Sequence, residues 1–228
     1  MKRNVLKFEA SQKYFPPIGT MKSIVPTWYK EIEKYIGGKL RVHPEANLTV
    51  KHCMPFLDSL TTGYYIPLAA DIIVEKINDG VVVSWKSKDQ ILKLRTQSGT
   101  GNMEIPAGCT NQHFVWQNQV SMQCPKDYSL LITHPLNRFD LPFVTLSGLM
   151  DAHYPIGAGN LPVYFKKDFE GIIPQGTPIA QIIPIKLDSW EAKETKGLYA
   201  ESEINNGKSI QKIMGWYKNL YWNKKEYK

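Results

Sequence analysis

Two prolines close together, Pro174 and Pro178, constrain this chain more than any other feature. Neither has an N–H to donate, and each drives the residue before it toward extended geometry, so no helix can cross this stretch. Gly176, between them, can supply the positive φ of a tight turn. The run that follows, Ile179 to Ile185, is apolar except for Gln181, which predicts a buried strand. A lone amide in such a strand must find partners, so Gln181 is expected to tie backbone segments together. Ser147 to Ile185 as a whole reads as strands joined by tight turns, with Asp151 and Tyr154 at a bend.

Other segments predict more β structure. Ile72–Ile77 runs into Asn78-Asp79-Gly80, a hairpin signal, and Val81–Trp85 returns. His113–Gln117 and Gln119–Gln123 alternate as half-buried strands do, and Tyr128–Thr133 is a further strand. Lys7–Ala10 and the residues from 48 to 60 are expected to be short and extended, which would put His52 and Cys53 on opposite faces of a strand. Helices are expected at the ends. Thr27 offers an N-cap for Trp28–Ile36, which Gly37-Gly38 would stop. Asp188-Ser-Trp190 opens another, and the spacing of Ile210, Ile213, Met214, Tyr217 and Tyr221 predicts an amphipathic helix in the tail. The expected organisation is an N-terminal arm and helix (1–44), a β domain (45–190) and a basic, aromatic helical tail (191–228).

The chain has 228 residues, 43% of them hydrophobic and 21% charged, enough to bury a real core. No apolar run is long enough to span a membrane, and no apolar stretch follows the basic N-terminus as in a secretory signal. Cys53, Cys109 and Cys124 form no CxxC pair and are expected to be reduced and mostly buried. Much of the +7 net charge lies near the ends, which makes nucleic acid a weak partner candidate against the plainer reading of a solubilising tail.

Gly148-Leu-Met-Asp151-Ala-His-Tyr154, followed by Gly176-Thr-Pro-Ile-Ala-Gln181-Ile-Ile, resembles the third and fourth motifs of the dUTPase and dCTP deaminase group. The resemblance implies a small β-clip barrel, in which an acid and a tyrosine in a hairpin hold a deoxyuridine. It makes Asp151 the catalytic candidate and Tyr154 a ring that stacks under the sugar. Where that group carries an Arg-Ser-Gly stretch that grips phosphate, this chain has His134-Pro-Leu-Asn137-Arg138, so His134, Asn137 and Arg138 become ligand-binding candidates. An ion pair between Arg138 and Asp140 is an equal reading.

Thr61-Thr-Gly63-Tyr-Tyr65 loosely resembles the first motif, with Tyr65 where an acid that holds magnesium–triphosphate would stand. The glycine-rich fifth motif has no counterpart. Magnesium is thus implied only if nucleotide phosphate is bound. A metal site of His134, His153 and Asp151 is a minor reading, since nothing in the spacing demands it.

Tyr128 to Trp190 also resembles a family of phage proteins of unassigned activity. The resemblances together imply a nucleotide-binding homo-oligomer, a trimer, with degenerate catalytic motifs. It would reside in the cytoplasm of an infected host cell. The alternative is a non-catalytic trimeric virion, head or interaction protein that uses the same fold.

Overall fold

The computed structural model describes residues 4–11, 15–39, 47–101, 103–157, 160–210 and 216–228. The chain is mainly β. Its strands, in order, begin with β1 (Lys7–Ala10), β2 (Gly19–Thr20), β3 (Tyr64–Pro67), β4 (Ile72–Ile77), β5 (Gly80–Trp85) and β6 (Leu92–Leu94). Then come β7 (Phe114–Gln117), β8 (Val120–Gln123), β9 (Tyr128–Thr133), β10 (Phe143–Thr145) and β11 (Gly148–Met150). The last four are β12 (Ile156–Gly157), β13 (Asn160–Phe165), β14 (Gly171–Ile173) and β15 (Pro178–Lys186). The helices are α1 (Thr27–Glu31), α2 (Met54–Thr61), α3 (Leu198–Ile210) and α4 (Trp216–Leu220).

Among the described residues these strands form four antiparallel sheets, ordered β11-β9-β15-β3-β2, β10-β13-β7-β6, β14-β4-β5 and β1-β8-β12. The expectation of a mainly β chain with a short N-terminal helix and a helical C-terminal extension holds. The hairpin at Asn78 and Asp79 forms as expected, with Ile77 opposite Gly80 and Asn78 at φ 44°. Asn is one of the few residues that accept this conformation cheaply.

β15 is the central strand. Ala180 and Ile182 are fully buried in the core, and Ile182 pairs with Ile132 of β9 on one side and Tyr64 of β3 on the other. Pro184 is tolerated because β15 has by then run past β3 and has only β9 as a neighbour. Before the strand, the Pro174–Thr177 turn is clasped by the segment after β3. The Gly176 N–H donates to Leu68 O at 2.9 Å, the Leu68 N–H donates to Thr177 O at 2.8 Å, and Gly176 sits at φ 83°.

Beneath the sheets lies an aromatic cluster. The Trp116 ring, fully buried, meets Phe143 edge-on at 5.2 Å and Phe165 at 5.9 Å. Its indole N–H donates to the Thr145 hydroxyl (3.1 Å), which donates to Ile179 O (2.7 Å), so one polar relay joins β7, β10 and β15.

Several local expectations fail, each for a tertiary reason. The helix at Thr27 ends at Glu31, and Pro26 rather than Thr27 is its N-cap. Beyond it, Ile36 N–H donates to Asn47 O at 2.8 Å and Tyr35 bridges to Leu48, and these pairings outweigh a helix too short to hold itself. The 48–60 stretch is not extended: a 3-10 turn at Val50–His52 leads into α2, where Pro55 lies in the first turn, the position a helix tolerates. His52 and Cys53 therefore do not sit on opposite faces of a strand. Asp188–Trp190 is irregular and exposed, and the next helix starts only at Leu198.

Of the residues that predicted the tail helix, Ile210 ends α3, Tyr217 lies in α4 and Tyr221 follows it in a turn; Ile213 and Met214 lie outside the described residues. After α4 the chain is held to α2, with Trp222 Nε1 (2.9 Å) and Lys225 Nζ (2.7 Å) both donating to Asp58 Oδ2. Cys109 and Cys124 are buried and Cys53 exposed, all three as free thiols.

Candidate functional site

The Asp151 bend is built by alternation. In the residues after β11, Ala152 is fully buried and its carbonyl accepts from Cys124 N at 2.8 Å, which leaves the neighbouring Asp151 exposed. Its carboxylate accepts a short hydrogen bond from Ser129 Oγ (2.5 Å) on the adjacent β9. Gln123 Nε2 holds the next carbonyl, that of His153, at 3.0 Å. Tyr154 packs on the His153 ring at 4.6 Å and remains 75% exposed. The bend thus offers one oriented carboxylate and one open aromatic ring.

His134, Asn137 and Arg138 lie at the other end of β9. Ser129 and His134 are five residues apart along the strand direction, roughly 17 Å at a rise of about 3.4 Å per residue. One chain therefore does not bring the two groups of candidates together, nor does it gather His134, His153 and Asp151 around a metal. Among the described residues there is no cluster of three or more metal-ligating side chains.

The groups at this second end are already engaged. Arg138 grips Asp140 with both Nε (2.9 Å) and Nη2 (2.8 Å), and Trp28 Nε1 donates to the same carboxylate at 3.3 Å. Burial alone would raise the Asp140 carboxyl, but the hydrogen bonds and charge of Arg138, with the Trp28 indole, outweigh it and hold the group below its usual value. His134 donates from Nε2 to Arg138 O (3.2 Å) and accepts at Nδ1 from Thr145 N (3.4 Å). Burial lowers its pKa, and the nearby Lys166 and Arg138 charges reinforce this, so the imidazole is neutral at neutral pH. Asn137, at φ 58°, donates to Ser59 Oγ at 2.6 Å.

Gln181 does what its isolation in an apolar strand implies. Its Oε1 accepts from Leu136 N (2.8 Å), and its Nε2 donates to Ser59 O (3.2 Å) and Thr62 O (2.7 Å). Tyr65 and Asp71 make no acidic pair: Asp71 Oδ1 accepts from Gln175 N at 2.6 Å and clasps the proline turn.

Ser129 was not singled out from sequence. Its signal is the strand period, since Ser129 and Thr133 share a face of Tyr128–Thr133 and each meets a polar side chain of the β11 segment, Asp151 and Ser147.

Cavities of about 300 to 450 Å³ lie elsewhere on the surface. One, of about 450 Å³, is closed by the chain ends, with Tyr227 edge-on to Tyr64 at 5.6 Å. Another, of about 300 Å³, is lined by Arg95, Asn111, His113 and Tyr164.

No family model and no curated protein matches this chain. Solved structures that match it include the dUTPase of Staphylococcus bacteriophage 80alpha with dUPNHPP, at 15% identity and a TM-score of 0.39, covering 86% of this chain and 90% of that one. A mutant dUTPase from phage phi11 of S. aureus, which coordinates a structural Mg(II) ion, matches at 14% identity and a TM-score of 0.37, covering 86% and 99%. No helix among the described residues is long and apolar enough to cross a membrane.

Proposed function

We propose that this protein binds a nucleotide through its deoxynucleoside part at Asp151 and Tyr154, as a homo-oligomer, with little or no hydrolysis of the phosphates. The observation that carries this reading is the Asp151 carboxylate, exposed yet held by Ser129 Oγ at 2.5 Å, on the same bend as Tyr154, whose ring is 75% exposed. A fixed acceptor and an open aromatic ring on one bend suit a sugar hydroxyl and a nucleoside ring. The acid could equally hold a water, but in-line attack would also need phosphate held nearby.

The phosphate side is where this chain departs from a hydrolase. Arg138 meets a phosphate only by giving up Asp140, and His134 has both ring nitrogens engaged. The residues do not fit a magnesium ion at the first-motif position, where Tyr65 replaces the acid and Asp71 is spent on Gln175. Because the two ends of β9 are far apart, a site with both sets of groups needs a second copy, and the trimer implied by the sequence resemblance is the assembly of choice. The setting in this reading is the cytoplasm of an infected cell.

Calorimetric titration with dUTP, dUMP and dCTP tests this, together with phosphate release under the same conditions. Asp151→Asn keeps the shape and removes the charge; binding is expected to weaken at least about tenfold, the loss of one hydrogen bond to a charged group. No binding by the parent, or equal binding by the variant, removes the reading.

A second reading, an interaction or virion protein, draws on the arm after β15. Trp190 is 91% exposed and Tyr199 77%, two large aromatic rings left open to solvent. Presence at fixed copy number in purified particles would favour it over the nucleotide reading. Among the basic ends, Lys224 and Lys225 are paired with Glu226 and Asp58, which leaves less free charge for nucleic acid than the sequence offers.

A further inference from the structure

We propose a second ligand site, remote from Asp151, in the cavity of about 300 Å³ lined by Arg95, Asn111, His113 and Tyr164, for a small phosphorylated molecule with an apolar portion. Two observations point to a ligand. His113 is only 5% exposed, stacks flat on Tyr164 at 5.2 Å, and has no hydrogen-bond partner among the described residues at either ring nitrogen. A neutral imidazole always carries one N–H, and leaving it buried without an acceptor costs about 1–3 kcal/mol. A fold tolerates such a group where something else uses it. The second observation is charge. Among the described residues Arg95 has no acidic partner, and no Asp or Glu lines the cavity with it.

The imidazole is neutral at neutral pH, since burial lowers its pKa and the Arg95 charge adds to this. It therefore serves as one donor beside a guanidinium, a pair suited to an oxyanion. The remaining wall is apolar and half open: Leu94 is 55% exposed and Met103 and Ile105 are each 44% exposed. These three would cover the uncharged part of a ligand, and the volume is that of a small-molecule site.

The adjoining cavity shares Asn111 and extends the positive field. It holds Lys76 and Lys167 against the single acid Asp79, and it too contains a buried unpartnered group, the Thr110 hydroxyl. Gln112, between Asn111 and His113, holds the β4–β5 hairpin in place by accepting from Val81 N at 2.6 Å.

The test is titration of the full chain with inorganic phosphate and pyrophosphate, followed by calorimetry and by the imidazole NMR signals. The His113 resonances are expected to shift with saturation. Arg95→Gln, at a half-buried position outside the core, should weaken binding at least about tenfold, the cost of losing a charged hydrogen bond. His113→Phe, which keeps the ring stack, should weaken it several-fold, and Asp151→Asn should leave it unchanged. Phosphate binding that persists in Arg95→Gln, or that disappears in Asp151→Asn, overturns the site, as does a His113 signal that never moves at millimolar phosphate. Because the phosphate titration reads Arg95 and His113 and the nucleoside titration reads Asp151, either site can fail without the other.

Discussion

Replacing Gly63 with alanine is expected to be strongly destabilising and to cut the soluble yield. Gly63 precedes β3 at φ +76°, a conformation that costs a residue with a Cβ about 1–2 kcal/mol. The steric term is larger. A Cβ built there would overlap the carbonyl oxygen of Ile182, a backbone atom inside β15 that cannot turn aside as a side chain could. To make room, β3 must move off β15 at the Tyr64–Ile182 pair, and the Gly63 carbonyl must give up the Met21 N–H it accepts at 3.0 Å. The loss should exceed about 4 kcal/mol, the range reserved for strain and broken backbone pairing. For a chain of this size that is a fall in Tm of roughly 8–16 °C. Soluble yield and a melt followed by circular dichroism check it; a variant melting within a degree or two of the parent would mean that β3 and β15 do not approach as described.

Gln181→Leu is expected to have the second largest effect. The side chain is fully buried, and its amide meets three backbone groups from two segments: Ser59 O and Thr62 O at the end of α2, and Leu136 N in the loop after β9. Leucine has nearly the same size, so the cavity term is small. What remains is three backbone groups, on half-buried residues, that lose their partner, each costing up to about 1–3 kcal/mol. Partial rescue by water would trim the sum, and a loss of about 3 kcal/mol or more in urea unfolding is expected. Gln181→Glu should also be destabilised, because a carboxylate cannot donate to the two carbonyls that Nε2 serves. If Gln181→Leu unfolds within about 1 kcal/mol of the parent, the amide is not the tie between α2 and the 134–138 loop.

That tie matters to the candidate residues. Asn137 and Gln181 both end on Ser59, one at its hydroxyl and one at its carbonyl, so the loop that carries His134 and Arg138 is positioned by α2. None of this could be read from the local pattern, because residues 48 to 60 read as extended. The apolar spacing of Phe56, Leu57 and Leu60, with Pro55 in the first turn, fits a helix equally well. Only packing against the core chooses between the two.

Much was legible along the chain. The proline turn, the apolar run after it, the Asn78–Asp79 hairpin and the strand at Tyr128–Thr133 follow from local chemistry: missing N–H groups, positive φ and a period of two. The lone amide of Gln181 announced its own role, since a buried polar group in an apolar strand has few alternatives. The placement of the site residues was not legible in the same way. The bend at Asp151 and the loop at Arg138 are near neighbours in sequence, yet β9 runs between the residues they contact and holds them apart. Sequence order says which residues have the right chemistry. The antiparallel pairing of β9 with β11 decides that Ser129 meets Asp151, and the fold of the 134–140 loop gives the Arg138 guanidinium to Asp140. Those choices belong to tertiary structure because they depend on strand register and on partners far away in the chain, where local propensity has no say.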